Sequence, residues 1–268
     1  VDPAAGGYLD QERRFNLGAS LAGNVAVVTG ASRGIGKAIA LWYGREGAAV
    51  VCTSRTTDAS PSKLPGTNDE TVRMIETAGG RALAVQCDVR LEEDVEALRK
   101  ATIEAFGRCD ILVNNAGISF PGNTMDLPVK RWDLVVEVNL RGPYLTAKAF
   151  VPHMIEQGGG LILNVSSGAA TVVGAGRLSY SVTKVALDKL TAGLAVELAP
   201  QNVQSISLGL ELPVLTEGFA LVSPGADTSN WESPDIMGEA ALWLAQHAAQ
   251  YNGQVVTIRQ LREDYKRA

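Results

Sequence analysis

The sequence predicts an α/β protein in which a doubly wound, parallel sheet of seven strands carries helices on both faces. Two observations predict this fold. From Asn24 onward, short β-branched apolar runs alternate with longer helical patterns, which is typical of βαβ units with right-handed crossovers. Most of the runs are apolar without interruption, as strands buried on both faces must be.

Strands and helices follow one another in regular order. The strands are predicted at residues 25–29, 48–53, 82–86, 110–114, 161–166, 203–207 and 254–258. The helices are predicted at residues 34–46, 69–78, 92–106, 129–157, 179–199 and 235–248. Two stretches look irregular: an insertion-like loop at residues 56–68, and residues 209–234, rich in Gly, Pro and Ser, which we call the lid segment because a mobile substrate cover could lie there.

The chain shows no internal division. No repeat, low-complexity tract or long linker interrupts its 268 residues, so one domain is predicted over residues 22–268. Residues 1–21 carry no initiator Met and no apolar signal core, and we expect a trimmed or engineered end followed by a short arm. No run reaches the ~18 apolar residues that a membrane span needs.

The net charge and the cysteines limit which ligands and partners the protein can be expected to bind. The net charge is −5 and the pI is about 5.2, which argues against nucleic acid and against an anionic membrane surface, because both call for a basic face. Cys52, Cys87 and Cys109 are scattered without CxxC spacing, which argues against a disulfide scaffold and a metal site. Buried free thiols fit a reducing compartment, and we expect a cytoplasmic location.

A glycine-rich turn joins the first strand to the first helix. Gly30 allows a tight turn, Gly34 removes a side chain where backbone would approach a pyrophosphate, and Gly36 lets the helix pack closely on the sheet. The helix N-terminus offers N–H donors and a positive dipole end to phosphate. In this strand–turn–helix setting the pattern predicts a Rossmann-type dinucleotide site, with a purely structural βα turn as the alternative.

The stretch "TGASRGIG" at residues 29–36 resembles the TGxxxGxG fingerprint of the short-chain dehydrogenase/reductase family. The resemblance covers about residues 22–207 and implies a Rossmann-type oxidoreductase with a nicotinamide dinucleotide. It also implies cofactor contacts from Ser32, Arg33 and Ile35, which lie between the glycines of the turn.

The end of the second strand bears on the choice of dinucleotide. An NAD-preferring site places an acidic residue there, whereas this strand ends in Ser54 and Arg55, with no carboxylate before Asp58. A guanidinium can bind a 2′-phosphate bidentately, and Arg33 adds a second cation nearby. The charges therefore favour NADP(H) over NAD(H), unless both arginines are ordinary surface residues. The Ser54–Arg55 pair also resembles the NADP-dependent members of the family.

Two further matches to the family lie at strand ends. "CDV" at residues 87–89 places Asp88 and Val89 after the third strand, where the family holds the adenine ring. "NNAG" at residues 114–117 brings Asn115, Ala116 and Gly117 to the end of the fourth strand, where the family passes backbone close to the adenine ribose. The alternative for Asp88 is a cap for the helix that begins near residue 92.

A candidate acid/base group lies further along the chain. Tyr180 and Lys184 are four residues apart in a helical pattern and project from one face. A free tyrosine has a pKa of about 10, and a neighbouring ammonium favours its phenolate. Ser167 lies 13 residues before Tyr180, just after a buried strand, and its hydroxyl could hold a carbonyl or alcohol oxygen. The adjacent Ser166 is excluded by that spacing.

With Asn139, these residues resemble the family's Asn, Ser, Tyr and Lys active-site set. The resemblance implies that Tyr180 gives a proton to the carbonyl oxygen as hydride arrives, and that Ser167 orients that oxygen. It implies that Lys184 assists the tyrosine and binds the nicotinamide ribose. Asn139 would hold a water that relays protons through Lys184. An isolated Tyr-x3-Lys is more often a surface pair, so the matches carry weight only as a set.

The resemblance weakens after the sixth strand. Leu208 stands where the family has a proline, although Gly209 is retained, and Thr216 is the candidate for a threonine near the nicotinamide amide. The charged tail "REDYKRA" is expected to be exposed.

Together these features predict an NADP(H)-dependent oxidoreductase acting on a small carbonyl or secondary alcohol. The apolar residues of the lid segment point weakly to a hydrophobic substrate. The resemblance implies a homo-oligomer, a tetramer or dimer, with an interface on helices 129–157 and 179–199. An enoyl-thioester reductase is the alternative enzyme, which the Tyr-x3-Lys spacing disfavours, and a non-catalytic nucleotide-binding module is the alternative without an activity.

Overall fold

The centre of the molecule is a parallel sheet of seven strands in the order β3-β2-β1-β4-β5-β6-β7. The computed structural model describes residues 19–172, 174–222 and 225–266. The strands are β1 (Val25–Thr29), β2 (Ala49–Ser54), β3 (Arg81–Gln86), β4 (Ile111–Asn114), β5 (Gly160–Val165), β6 (Val203–Gly209) and β7 (Val255–Thr257). The predicted doubly wound sheet is confirmed, and its strand order reverses between β1 and β4, where such folds bind ligands.

Helices pack on both faces of the sheet. They are α1 (Gly34–Arg45), α2 (Asn68–Thr77), α3 (Glu92–Phe106), α4 (Val129–Val136), α5 (Gly142–Glu156), α6 (Leu178–Leu198), α7 (Glu217–Val222), α8 (Asp235–Gln246) and α9 (Ile258–Tyr265). Apolar residues of α1, α2, α8 and α9 fill the core on one face, and those of α3, α5 and α6 fill the core on the other.

The strand side chains alternate between these two cores. In β1, Ala26 and Val28 point into the first core, and Val27 points into the second. All three side chains are inaccessible to solvent. Burial on both faces is the reason why the strand sequences are apolar without a polar alternate position.

The long helix predicted at residues 129–157 is interrupted. A π-helical segment, Glu137–Arg141, separates α4 from α5. Such segments widen the helix locally and are frequent at functional sites. Asn139 lies in this segment, so its backbone and side chain are placed differently from those of a continuous α-helix.

The C-terminal tail, expected to be exposed, instead contributes to the helix α9. The hydroxyl of Thr257 caps it by accepting from the amide of Gln260. Leu261 is buried in the first core, and the Tyr265 ring meets Trp243 edge-on, with ring centroids 4.5 Å apart. The apolar positions span two turns among charged residues, which is too short a pattern to predict a helix reliably from sequence.

The start of the described chain is attached to the fold. Residues 1–18 of the predicted N-terminal arm lie outside the described residues. Of the remainder, Leu21 is buried in the first core, and its amide donates to the Glu46 carbonyl at 2.9 Å. Across the described ranges, no helix has the length and apolar character needed to cross a membrane.

Candidate active site

The glycine turn between β1 and α1 is tightly packed. Gly30 has a φ of +68°, and a Cβ added there would lie 3.0 Å from the Cα of Ala116. A Cβ on Gly36 would lie 2.3 Å from the carbonyl oxygen of Gly30, which no real side chain tolerates. Ser32, between them, is buried. The helix therefore approaches the turn as closely as only glycine permits.

The N-terminus of α1 is open. Arg33 occupies the N-cap position and makes no side-chain cap. The Lys37 amide donates to the Arg33 carbonyl, whereas the amides of Gly34, Ile35 and Gly36 donate to no group in the described chain. Three unpaired N–H groups at a helix N-terminus favour an anion. The turn thus has the donors that a dinucleotide diphosphate needs.

The ends of β1 and β4 are joined by side-chain hydrogen bonds. The Thr29 hydroxyl donates to the Val113 carbonyl at 3.1 Å and accepts from the amides of Asn115 and Ala116 at 3.0 and 3.1 Å. The Asn115 amide group donates back to the Thr29 and Gly30 carbonyls at 2.9 and 3.3 Å. The loop after β4 is therefore fixed against the glycine turn.

At the end of β2, the side chain of Ser54 is hydrogen-bonded within the protein, whereas that of Arg55 is free to bind a ligand. The Ser54 hydroxyl accepts from the Thr56 amide at 3.0 Å and lies 2.9 Å from the Asn68 side-chain oxygen, to which it donates. The Arg55 side chain is exposed, and its guanidinium has no hydrogen bond or ion pair within the described residues. Only Arg55 of this pair is free to meet a 2′-phosphate.

Arg33, expected as the second cation for that phosphate, is held by the loop at residues 56–68. Its guanidinium donates to the Ser62 hydroxyl and to three carbonyls, those of Leu64, Pro65 and Gly66, at 2.7 to 3.1 Å. None of these partners carries a charge. The positive charge of Arg33 is therefore retained beside the glycine turn, while its donors are largely used to shape the loop.

Asp88 and Val89 follow β3 as predicted, but the carboxylate of Asp88 is already bound. Arg90 donates to both of its oxygens, at 2.6 to 3.0 Å. These hydrogen bonds hold the pKa of Asp88 below its usual value, against the effect of burial. The alternative role as a helix cap is not observed, because Leu91 is the N-cap of α3 and makes no side-chain cap. Val89 is buried.

Tyr180 and Lys184 lie one turn apart on α6. Lys184 is 4% exposed, and its ammonium donates to the Val165 carbonyl at 2.7 Å and lies 5.5 Å from the centroid of the Tyr180 ring. Tyr180 is half-buried, and its hydroxyl has no hydrogen-bond partner in the described part of the chain. A phenol with a free hydroxyl beside a fixed ammonium is available for proton transfer.

The two adjacent serines after β5 occupy different environments. Ser167 is half-buried, and its hydroxyl oxygen accepts from the Ala169 amide at 3.2 Å, which leaves its proton free to donate. Ser166 is 2% exposed, and its buried hydroxyl oxygen has no hydrogen-bond partner among the described residues. Of the two, Ser167 has the accessible hydroxyl.

Asn139 links the loop after β4 to α6. Its side-chain oxygen accepts from the Ile118 amide at 2.9 Å, and its nitrogen donates to the Ile118 carbonyl at 2.9 Å and the Thr183 hydroxyl at 3.2 Å. A Cβ on Gly117 would lie 3.6 Å from the Asn139 oxygen and 3.9 Å from the Lys184 ammonium. Gly117, the Asn139 side chain and the Lys184 ammonium therefore lie close together. Both N–H donors of the Asn139 side chain are occupied by Ile118 and Thr183.

The lid segment rests on the glycine turn. A Cβ on Gly34 would lie 3.1 Å from the Thr216 methyl group and 3.6 Å from a carboxylate oxygen of Glu217. Burial lowers the pKa of Arg33, whereas the charge of Glu217 raises it and that of Arg55 lowers it further. Glu217, which the sequence did not single out, places a negative charge beside the expected diphosphate position. Its only sequence signal is its place directly after Thr216.

Taken together, an open helix N-terminus, a glycine turn without room for side chains, and a Ser, Tyr and Lys group at the same edge of the sheet define a Rossmann-type dinucleotide-binding enzyme. Residues 24–216 match the family model described as short chain dehydrogenase. The chain belongs to the short-chain dehydrogenase/reductase family, whose members are oxidoreductases that use NAD or NADP.

Individual relatives agree with this membership. The chain is 34% identical over 243 residues to "Hydroxysteroid dehydrogenase-like protein 2" of Xenopus tropicalis, covering 90% of this chain and 58% of that protein. It is 35% identical over 238 residues to the human protein of the same name, covering 88% and 56%. The chain thus spans little more than half the length of these relatives.

Solved structures of dehydrogenases/reductases have the same fold as this chain. A dehydrogenase/reductase from Sinorhizobium meliloti 1021 is 32% identical with a TM-score of 0.78, covering 92% of this chain and 97% of that one. A short-chain type dehydrogenase/reductase from Mycobacterium marinum is 30% identical with a TM-score of 0.79, covering 88% and 94%.

The position of Glu217 leads to a prediction about affinity. We expect Glu217→Gln to lower the Kd for dinucleotide roughly threefold to tenfold at low salt, because it removes a like charge from beside the diphosphate. Fluorescence titration measures the change, which should shrink as salt is raised. Glu263→Gln, the same charge change at an exposed site on α9, is the control. Equal or weaker binding by Glu217→Gln would show that Glu217 does not oppose the diphosphate.

Proposed function

We propose that the chain is an NADP(H)-dependent oxidoreductase that interconverts a carbonyl and a secondary alcohol. The observation that carries this proposal is the free hydroxyl of Tyr180 beside the fixed ammonium of Lys184, at the sheet edge that also holds the glycine turn. A bound nicotinamide supplies the hydride. The protein supplies binding, orientation and the proton.

Each residue then has a role that its contacts permit. The Ser167 hydroxyl donates to the carbonyl oxygen and holds it near Tyr180, and Tyr180 gives that oxygen its proton. Lys184, whose ammonium lies 5.5 Å from the centroid of the Tyr180 ring, would bind the nicotinamide ribose. Asn139 positions the loop at Ile118 against α6, with both donors of its side-chain amide already used.

The cofactor groups fit the residues at the other end of the site. The amides of the first turn of α1 suit the diphosphate, and Asn115, Ala116 and Gly117 present backbone to the adenine-side ribose. Arg55 suits a 2′-phosphate because its guanidinium is exposed and unpaired. Asp58, the first carboxylate after β2, is bound by Arg73 and Thr67 at 2.7 and 2.6 Å and does not replace an NAD-type acid.

The substrate we infer is an apolar ketone or secondary alcohol, with steroids among the candidates. The lid segment exposes about half of Leu212 and of Leu215. Within the same segment, the rings of Phe219 and Trp231 pack together with their centroids 4.6 Å apart. The curated relatives are named as hydroxysteroid dehydrogenase-like, which agrees with a hydrophobic substrate. We also propose a cytoplasmic location, because three free, buried cysteines fit a reducing compartment.

Removing the phenol hydroxyl should abolish turnover. We expect Tyr180→Phe to reduce kcat by about 10²–10⁴-fold, the usual contribution of a positioned acid or base, with the NADPH Kd little changed. NADPH oxidation with nitrobenzaldehyde and a steroid ketone measures kcat, and fluorescence measures binding. Tyr265→Phe, on α9, is the matched control, because the hydroxyl it removes has no hydrogen-bond partner within the described residues. Full turnover by Tyr180→Phe would refute the catalytic assignment.

Reversing the charge at the end of β2 should change the cofactor preference. We expect Arg55→Asp to lower the NADPH-to-NADH ratio of kcat/KM by about 10- to 100-fold, because a charge-assisted hydrogen bond of about 1.5–3 kcal/mol becomes a repulsion. Arg81→Asp, at the opposite end of the sheet, should leave the ratio unchanged. An unaltered ratio in Arg55→Asp would defeat the argument for NADP(H).

The homo-oligomer remains part of the proposal, with an interface on α6 and on α4 and α5, which together occupy the predicted helix at residues 129–157. Exposed apolar side chains follow one face of α6, at Leu178, Val182, Val185 and Val196, and Tyr144 and Ile155 are exposed on α5. We expect sedimentation to give a dimer or tetramer, and Val185→Glu to lower the mass because it places a charge in an apolar contact. Met74→Glu, at an exposed position on α2 and outside these helices, is the control. A monomeric wild type would contradict the proposal.

A further inference from the structure

Beneath the site, five buried side chains form a continuous hydrogen-bonded chain across the fold. In order they are Thr146 of α5, Asn114 of β4, Asn164 of β5, Thr191 of α6 and Ser207 of β6, and we call them the polar chain. Successive partners lie 2.6, 2.9, 2.8 and 2.8 Å apart. None of the five residues is more than 4% exposed.

Three of the four hydrogen bonds of the polar chain run in one direction, and Ser207 donates to Thr191 from the opposite end. The Thr146 hydroxyl donates to the Asn114 oxygen, the Asn114 nitrogen to the Asn164 oxygen, and the Asn164 nitrogen to the Thr191 hydroxyl. That hydroxyl is also 2.9 Å from the carbonyl of Leu187, to which it donates. A buried polar group without a partner costs free energy, so each member requires the next.

The polar chain meets the helix that carries the candidate acid/base group. Thr191 lies seven residues after Lys184 on α6, two turns along the same buried face. Asn164 binds Thr191, and the next residue of β5, Val165, accepts from the Lys184 ammonium. Asn164 and Val165, neighbours on β5, therefore hold α6 at two positions two turns apart, Thr191 and Lys184. The same strand leads into Ser167.

Apolar packing alone would hold α6 against the sheet without fixing its rotation. A rotation of about 10° moves an atom at the ~5–6 Å outer radius of a helix by about 1 Å. A misplacement of about 1 Å at reacting groups can cost about 10²-fold in rate. A directional bond at Thr191 limits this rotation, since turning the helix would leave the Asn164 nitrogen without an acceptor.

We propose that Asn164 and Thr191 are positioning residues, which set the rotation of α6 so that Tyr180 and Lys184 face Ser167 correctly. This inference rests on the proposed function, because it assigns the rate effect to the Tyr180 group. Neither positioning residue touches substrate or cofactor. Their contribution is carried by the helix, through the bond between β5 and α6.

The test replaces the Thr191 hydroxyl by a methyl group of similar size. We expect Thr191→Val to lower kcat about 10- to 100-fold with NADPH and a steroid ketone, while the NADPH Kd changes less than threefold. Thr191→Ser keeps the hydroxyl and should recover most of kcat. Thr102→Val is the matched control, since Thr102 is equally buried on α3 but its hydroxyl bonds only the Leu98 carbonyl of its own helix, at 2.8 Å.

A second readout does not depend on turnover. Amide hydrogen exchange in α6 should accelerate in Thr191→Val and not in Thr191→Ser or Thr102→Val. If the wild type bound no dinucleotide and reduced no carbonyl, the proposed function would fail while the exchange result still reported on α6. Unchanged exchange in Thr191→Val would overturn the inference. So would a kcat that falls equally in the Val and Ser variants, because packing rather than the hydroxyl would then be responsible.

Discussion

The contact between the ends of β1 and β4 is the constraint on which the site depends. The Thr29 hydroxyl bonds three backbone groups of the neighbouring strand and its loop, and Asn115 returns two bonds to the glycine turn. Strand order reverses here, so helices leave to opposite faces and a crevice opens. Without these bonds the turn would not face the loop at Gly117, and that loop would not reach Asn139 and Lys184.

Polar groups near this edge are buried at a cost, and the amide and ammonium groups among them are hydrogen-bonded. Asn139 satisfies both ends of its amide on the loop at Ile118 and on Thr183, and Lys184 bonds a strand carbonyl. Such groups specify a geometry more sharply than apolar packing does, because each bond has a direction. The hydroxyls of Ser166 and Ser179 have no partner within the described residues but are buried, whereas those of Tyr180 and Ser167 are partly accessible and are the ones that the proposed reaction needs.

Sequence periodicity predicted most of the fold because buried parallel strands have an unmistakable composition. Helix α3 was predicted with the bounds observed, and β1 likewise. The π-helical segment was not predicted, since its residues keep a helical pattern. The contacts of Arg33 were also missed, because its partners are mainly backbone carbonyls that have no sequence signature. Glu217 lies 183 residues from Gly34 in the chain, and only the folded structure brings them together.

The charges around the expected dinucleotide are distributed unevenly. Asp88 and Asp58 are neutralised by Arg90 and Arg73, so neither projects a free negative charge at the end of β2. Arg33 is hydrogen-bonded by uncharged groups, and Arg55 has no ion pair within the described residues. The carboxylate of Glu217 lies beside Gly34, and its charge partly offsets that of Arg33. This distribution of charge supports the proposed preference for NADP(H), whose additional phosphate would lie beside β2.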